Sequence, residues 1–352
     1  MKIIRITWVL LLIFWFSSAS QFNISIVKTI GDERRDYTFF EVGSTIISAD
    51  KSIYVSDLKG YSIAKYSWDG IFQKRIGQKG KGPGHFEYPY RMGLVGKNIY
   101  IFDMGTMSIT TLDSDLNVID YLKIRKNFFN DVIPIKKDLF IGIKSPVGIK
   151  MLGNKNHNMN MAFIFNEFEK IETSFHQISK SFFEKNLMKS IRNSRIYSIR
   201  TELMNENKNI LISNLYLKNP VEFFLYDIKG VLQKKMKYEY KNCYKSPTSD
   251  DLQFREKGFP YVYMITSLIS NQNYYFFNVL PLKYIKTSKI KEDRHFLIFN
   301  KKGKFVKRLD VGSKFGYRFF QITDDNYLIG IRYDIEKEEE KIVISKIEIS
   351  DK

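Results

Sequence analysis

One six-residue pattern of polar and apolar positions recurs along the chain: Ser52-Ile-Tyr-Val-Ser-Asp57, Asn98-Ile-Tyr-Ile-Phe-Asp103, Asp138-Leu-Phe-Ile-Gly-Ile143, Asn209-Ile-Leu-Ile-Ser-Asn214, Asn273-Tyr-Tyr-Phe-Phe-Asn278 and Asn326-Tyr-Leu-Ile-Gly-Ile331. Each copy opens on a small polar turn-former and continues in β-branched or aromatic residues, as a strand covered on both faces does. The copies start 40 to 71 residues apart. A second pattern follows each of the first five: Tyr66 to Phe72, Leu112 to Val118, Phe165 to Ile171, Tyr226 to Leu232 and Phe299 to Phe305. There an apolar residue ends one strand and Ser, Asp or Asn begins a turn. Gly, or a polar residue able to take a positive φ, closes it. One hairpin is written five times.

The sixth hairpin lacks its second half. The strand Ile342 to Ile349 leads only into Ser350-Asp351-Lys352, while Phe22 to Ile30 is a strand with no hairpin before it. Unpaired strand edges invite association with other chains, so each needs a partner. The simplest pairing docks residues 22–30 beside 342–349 and closes a ring. The pattern therefore predicts an all-β fold, a six-bladed β-propeller occupying residues 21–352 as one domain, with its last blade closed by the N-terminal strand.

The first twenty residues stand apart. Lys2 and Arg5 precede the apolar run Ile6 to Phe16, and Ser18-Ala19-Ser20 supplies small side chains for a signal peptidase. The run falls short of the roughly 20 residues of a membrane span. Residues 1–20 read as a cleaved signal peptide, with an uncleaved anchor as the alternative and no further spanning segment. The expected location is periplasmic, cell-surface or secreted. Export disfavours nucleotide-dependent enzymes and chromosomal DNA binders. The single cysteine, Cys243, cannot form an internal disulfide. Losing Lys2 and Arg5 lowers the net charge from +18 to +16. Such a balance suits anionic partners. The lysines, however, are scattered over nearly every turn, and no run of five like charges occurs, which fits a solvated surface better.

The stretch GQKGKGPGHFEYPYRM (residues 77–92) holds four glycines and two prolines. As a phosphate cradle it fails: Pro83 and Gly84 stand where Lys and Ser or Thr would follow, and Pro89 obstructs the helix a dinucleotide site requires. Its place between the outer strand of one blade and the inner strand of the next predicts a rim-to-centre crossing. The positions Gly77, Gly80, Gly82, Gly84, Phe86 and Pro89 resemble the crossing of NHL-repeat six-bladed bacterial propellers. The resemblance covers blade one and the start of blade two; later crossings share only the strand pattern. It implies a binding or scaffold propeller, or, as in some relatives, a lyase or lactonase with a metal in its channel.

In such a ring the crossings and the loops after each second strand share one face. The long segments 145–160, 175–195, 238–260 and 280–294 fall in those two classes, and Phe183, Leu187 and Ile191 are spaced as on a short helix. Long loops in a compact domain are usually functional or disordered. This loop-rich face is the expected working surface, with His85, Arg91, Asp57, Asp103, Lys144 and His157 as candidate ligand-binding residues. For each, a solvated or turn-capping role is the plainer reading. His85, His157, His176 and His295 lie on different blades. Asp57 and Asp103 give way to Ile143, Asn214, Asn278 and Ile331 in the other copies, so a carboxylate ring for metal is incomplete. No nucleophile motif occurs.

Two functions follow. The first is an exported, monomeric binding or scaffold module for a glycan, peptide or protein partner, anionic ones included, with no cofactor and no nucleic acid. The alternative is a metal-assisted extracytoplasmic enzyme of the lactonase or lyase kind, carrying a divalent metal. RNA binding returns only if the apolar start is not an export signal.

Overall fold

The computed structural model describes residues 21–31, 39–144, 158–179, 199–204, 209–214, 216–217, 220–240, 263–281, 294–312, 315–316, 318–334 and 339–350. The apolar start, His157 and the helix expected over 181–191 lie outside them. The described residues form six antiparallel sheets. Blade one holds β2 (Val42–Ile47), β3 (Ile53–Asp57), β4 (Ser62–Tyr66) and β5 (Phe72–Ile76). Blade two holds β6 (Pro89–Val95), β7 (Asn98–Asp103), β8 (Ser108–Leu112) and β9 (Val118–Lys123). Blade three holds β10 (Asp131–Lys136), β11 (Leu139–Ile143), β12 (Asn158–Asn166) and β13 (Ile171–Ser179). Blade four holds β14 (Ile199–Met204), β15 (Asn209–Asn214), β17 (Val221–Asp227) and β18 (Leu232–Tyr238). Blade five holds β19 (Tyr263–Ser270), β20 (Tyr274–Pro281), β21 (His295–Asn300) and β22 (Phe305–Asp310), extended by the short β16 (Tyr216–Leu217). Blade six is β23 (Arg318–Ile322), β24 (Tyr327–Asp334), β25 (Glu339–Ser350) and, as its fourth strand, β1 (Gln21–Ile30). The recurring six-residue pattern is the second strand of every blade. Where it is best packed, in β3 and β11, every position is buried.

β1 runs antiparallel to β25 from Gln21 opposite Ser350 to Ile30 opposite Ile342, with a bulge between Ile26 and Lys28. Its two ends serve different interfaces. Phe22 packs with Phe276, Phe296 and Ile347 toward blade five, and Ile30 with Ile53, Tyr66 and Ile342 toward blade one. The strand therefore fills an edge and also seals two blade contacts by apolar burial.

The five repeated turns share one geometry. In blade four the Gly230 amide donates to Asp227 O at 3.0 Å, and the Val231 amide donates to Asp227 Oδ1 at 2.9 Å. The register slips beside the turn, between Leu225 and Tyr226. This is a type I turn with a bulge whose closing residue has positive φ. Gly70, Leu116, Glu169, Gly230 and Gly303 occupy that position, with φ between 59 and 80. Leu116 departs from the expected residue types because its side chain is buried in the contact with blade one. Glu169 bonds three amides of the preceding crossing (Arg125 at 2.6 Å, Lys126 at 2.6 Å and Asn127 at 3.0 Å).

These turns dock each blade on its predecessor. Lys28 donates to Trp68 O at 2.5 Å, Lys74 to Asp115 O at 2.5 Å and Lys234 to Lys301 O at 3.2 Å, each from a fourth strand to the next blade's turn. Part of the lysine content is thus spent on blade contacts. Gly230 has φ +79, and a Cβ there would stand 2.9 Å from the Phe175 ring. Gly230→Ala is expected to destabilise by about 1–3 kcal/mol, combining left-handed backbone strain with displacement of the ring. Urea unfolding measures it, and a change under ~0.5 kcal/mol would remove this turn from the docking contact.

Candidate functional site

The crossings into blades one and two are built alike. Phe39 and Phe86 are fully buried, and the two residues after each reach one aspartate at the end of the second strand. Asp57 Oδ2 accepts from the Phe40 amide at 3.1 Å, and its Oδ1 from Glu41 at 3.1 Å and Gly60 at 2.9 Å. Asp103 Oδ2 accepts from Glu87 at 2.7 Å, and its Oδ1 from Tyr88 at 2.9 Å, Gly105 at 2.9 Å and Thr106 at 3.0 Å. Exposure is 1% for Asp57 and 0% for Asp103. Both carboxylates cap main-chain amides, tying a crossing to the turn beside it.

The glycine-rich stretch is this crossing. Its amides are turned inward: Gly80 donates to Phe86 O at 3.1 Å, Phe86 to Gln78 O at 3.0 Å and His85 to Gly82 O at 3.1 Å. Gly77, with φ +112, lies so close to the chain that a Cβ would meet Tyr61 O at 2.6 Å. His85 is half-buried, with Nδ1 at 3.5 Å from Gln78 Nε2. Lys79 lies over the Tyr61 ring and Lys81 faces Glu87 at 3.7 Å.

Blade three departs from the rule because Ile143 replaces the aspartate. There the Asn130 amide donates to Ile143 O at 2.7 Å, and the next residue, Lys144, is buried. Its Nζ donates to Asn127 Oδ1 at 2.9 Å and lies over the rings of Phe129 and Phe163 at 5.2 and 4.8 Å. Burial pushes its pKa below the usual lysine value.

Arg91 is placed differently. The first strands of five blades surround an axial cavity of about 200 Å³, lined by Arg91 with Ser44, Thr45, Ser270 and Gln321 among apolar side chains. Gln321 Oε1 accepts from the Ile47 amide at 2.8 Å, joining blades six and one across the wall. β16, from the loop after blade four's second strand, pairs Tyr216 with Met264 and Leu217 with Tyr263 on the first strand of blade five. At least one loop of the expected class therefore reaches the axis. The six candidates do not converge on one site: Asp57, Asp103, His85 and Lys144 belong to three different crossings, Arg91 to the axis, and His157 lies outside the described residues. His176 and His295 pair with tyrosines, Nδ1 to Tyr226 Oη at 3.1 Å and Nε2 to Tyr240 Oη at 2.6 Å. Among the described residues no three His, Cys, Asp or Glu side chains are grouped to hold a metal, and no helix is long and apolar enough to cross a membrane.

A larger cavity of about 370 Å³, which the sequence reading did not anticipate, shares Ser270, Gln321 and Ile322 with the axial one. It lies at the end where first strands turn into second strands, opposite the crossings, and Trp68, Tyr327, Asp324, Asp325 and Lys51 line it. It is assembled from segments of three blades, so no local motif signals it.

The fold is a six-bladed β-propeller. A "Putative exported protein" from Bacteroides fragilis is similar to it over 95% of this chain and 96% of that one, with a TM-score of 0.58 at 10% identity. A member of the DUF4221 family from Bacteroides vulgatus is similar over 94% and 99%, with a TM-score of 0.57, again at 10% identity. At that identity the likeness establishes the fold alone. No protein-family model matches the sequence, and no curated protein does.

Proposed function

We propose that this chain is an exported ligand- or partner-binding propeller of the NHL-like kind, working around its axis. The observation that carries the reading is the axial cavity, where one guanidinium, Arg91, stands among hydroxyl, amide and apolar side chains. A concave, mostly apolar site with a few placed polar groups is the usual form of a ligand pocket, and a guanidinium selects carboxylates and phosphates. β16 brings a short second-strand loop beside the first strand of blade five, so a loop of this class adds to the wall around the axis. The name of one similar structure, a putative exported protein, agrees with an extracytoplasmic location.

Calorimetric titration with trigalacturonate and with acidic tripeptides tests this reading. Binding by one of them, weakened about tenfold or more in Arg91→Gln (roughly 1.4 kcal/mol), is the expected result. Absence of binding by all probes, or binding indifferent to Arg91, overturns it. The metal-assisted enzyme remains the second reading, and elemental analysis of purified protein without stoichiometric divalent metal sinks it.

A further inference from the structure

The cavity at the mouth opposite the crossings holds the one tryptophan outside residues 1–20. The Trp68 and Tyr327 rings meet edge to face at 5.0 Å. Lys51 Nζ stands 5.4 Å from the Trp68 ring centre and 6.0 Å from that of Tyr327, and it pairs with Asp325 at 3.2 Å. Side chains of Lys51 and Asp325 are each 51% exposed. An ion pair this open contributes ~1 kcal/mol or less, so a ligand can part it at little cost. Lys51 itself has φ +64, a backbone state that disfavours a lysine, in a turn where Asn326 holds the same state in blade six. Lys51 lines the cavity. Asp324 gives Oδ1 to the Gln272 amide at 2.8 Å, and the Asp324 side chain is otherwise exposed to the same space.

We propose that this mouth is a saccharide-binding site for a neutral oligosaccharide, with one pyranose stacked on Trp68 where Lys51 now lies. An aromatic face matches the apolar C–H face of a sugar ring. Hydroxyl groups both donate and accept, and the rim supplies both partners: the Lys51 ammonium as donor, and Asp324 and Asp325 as acceptors. The volume of about 370 Å³ accommodates a pyranose and part of its neighbour. A cationic ligand would meet Lys28, Lys51 and Lys346 around the same two rings. A polyanion would meet the two aspartates. A neutral polyol meets neither repulsion. The inference rests on the binding role proposed above and gives it a ligand class at a second mouth, which adjoins the axial cavity at Ser270, Gln321 and Ile322.

In the full chain carrying Trp8→Phe and Trp15→Phe, Trp68 is the sole tryptophan, and its emission reports this cavity directly. Cellotetraose, xylotetraose, mannotetraose and chitotetraose are titrated, with trigalacturonate as the anionic comparison. A saturable change with at least one neutral tetrasaccharide is expected, weakened about tenfold in Asp325→Ala and in Lys51→Met. Both altered residues are at the surface, and thermal unfolding of each variant verifies that it remains folded. No change with any neutral probe, a response to trigalacturonate alone, or saccharide binding indifferent to both substitutions overturns the proposal. Arg91-dependent binding with silent Trp68 emission overturns this site and spares the axial one. The reverse pattern overturns the axial reading.

Discussion

Asp103→Ala is expected to destabilise the protein by about 3–5 kcal/mol, the largest loss anticipated from any substitution argued here. The side chain is fully buried and accepts from four main-chain amides, two in the crossing and two in its own turn. Removing it strands four donors, each worth about 1–3 kcal/mol when left buried. Glu87 is half-buried, so water can reach part of the gap and the full sum is not realised. Asp57→Ala strands three amides and is expected to cost about 2–4 kcal/mol by the same argument. Asp103→Asn separates charge from shape: it keeps one oxygen but turns an amide donor toward another donor, for an expected loss of about 1–3 kcal/mol. Urea unfolding of the four proteins gives the order Asp103→Ala, Asp57→Ala, Asp103→Asn, wild type. An Asp103→Ala loss under ~1 kcal/mol would end the amide-capping role. A wild-type midpoint that falls on chelation, with Asp103→Ala insensitive to the chelator, would return the carboxylate to the metal reading.

The same two aspartates show where sequence reasoning stops. The repeated strand was legible because burial on both faces demands an unbroken apolar run, and Ile53 to Asp57 is buried throughout. The hairpins were legible because Ser67, Asp113, Asn166, Asp227 and Asn300 must cap a turn of fixed length. Ring closure was legible because the two strands without partners are Phe22 to Ile30 and Ile342 to Ile349, and they pair as expected. An aspartate ending a strand looks the same whether it faces amides or a metal ion. Only the approach of Glu87 and Tyr88, sixteen and fifteen residues earlier in the chain, decides which. Likewise Leu116 breaks the turn rule for a reason that lies on the neighbouring blade, a buried contact with blade one. The cavity around Trp68 draws on residues 47–51, 68, 270 and 321–327, which no spacing rule connects.

Lysine provides the second large effect, with the opposite sign. Lys301→Met is expected to stabilise the protein by about 1–3 kcal/mol at pH 7. Lys301 Nζ is buried without a hydrogen-bond partner among the described residues and stands 4.1 Å from the Tyr275 ring centre. Burial pushes its pKa down from the ordinary 10.5 to about 8, against the pull of Asp324 in the other direction. At pH 7 the amine is therefore charged in both folded and unfolded chains, and the folded state bears the whole desolvation penalty. That shift corresponds to roughly 3 kcal/mol, and the ring contact, about 0.5–2 kcal/mol, is lost in the variant and trims the gain. Between pH 8 and 10.5 the folded chain releases the proton while the unfolded chain keeps it. Unfolding then takes up a proton, so wild-type stability gains with rising pH across that window. Methionine fills a similar volume without the charge and has no such titration. The difference between Lys301→Met and wild type should accordingly be greatest below pH 8 and shrink toward pH 10 in paired urea titrations. A variant that is less stable at pH 7, or a difference flat across the window, would mean that the ammonium reaches solvent.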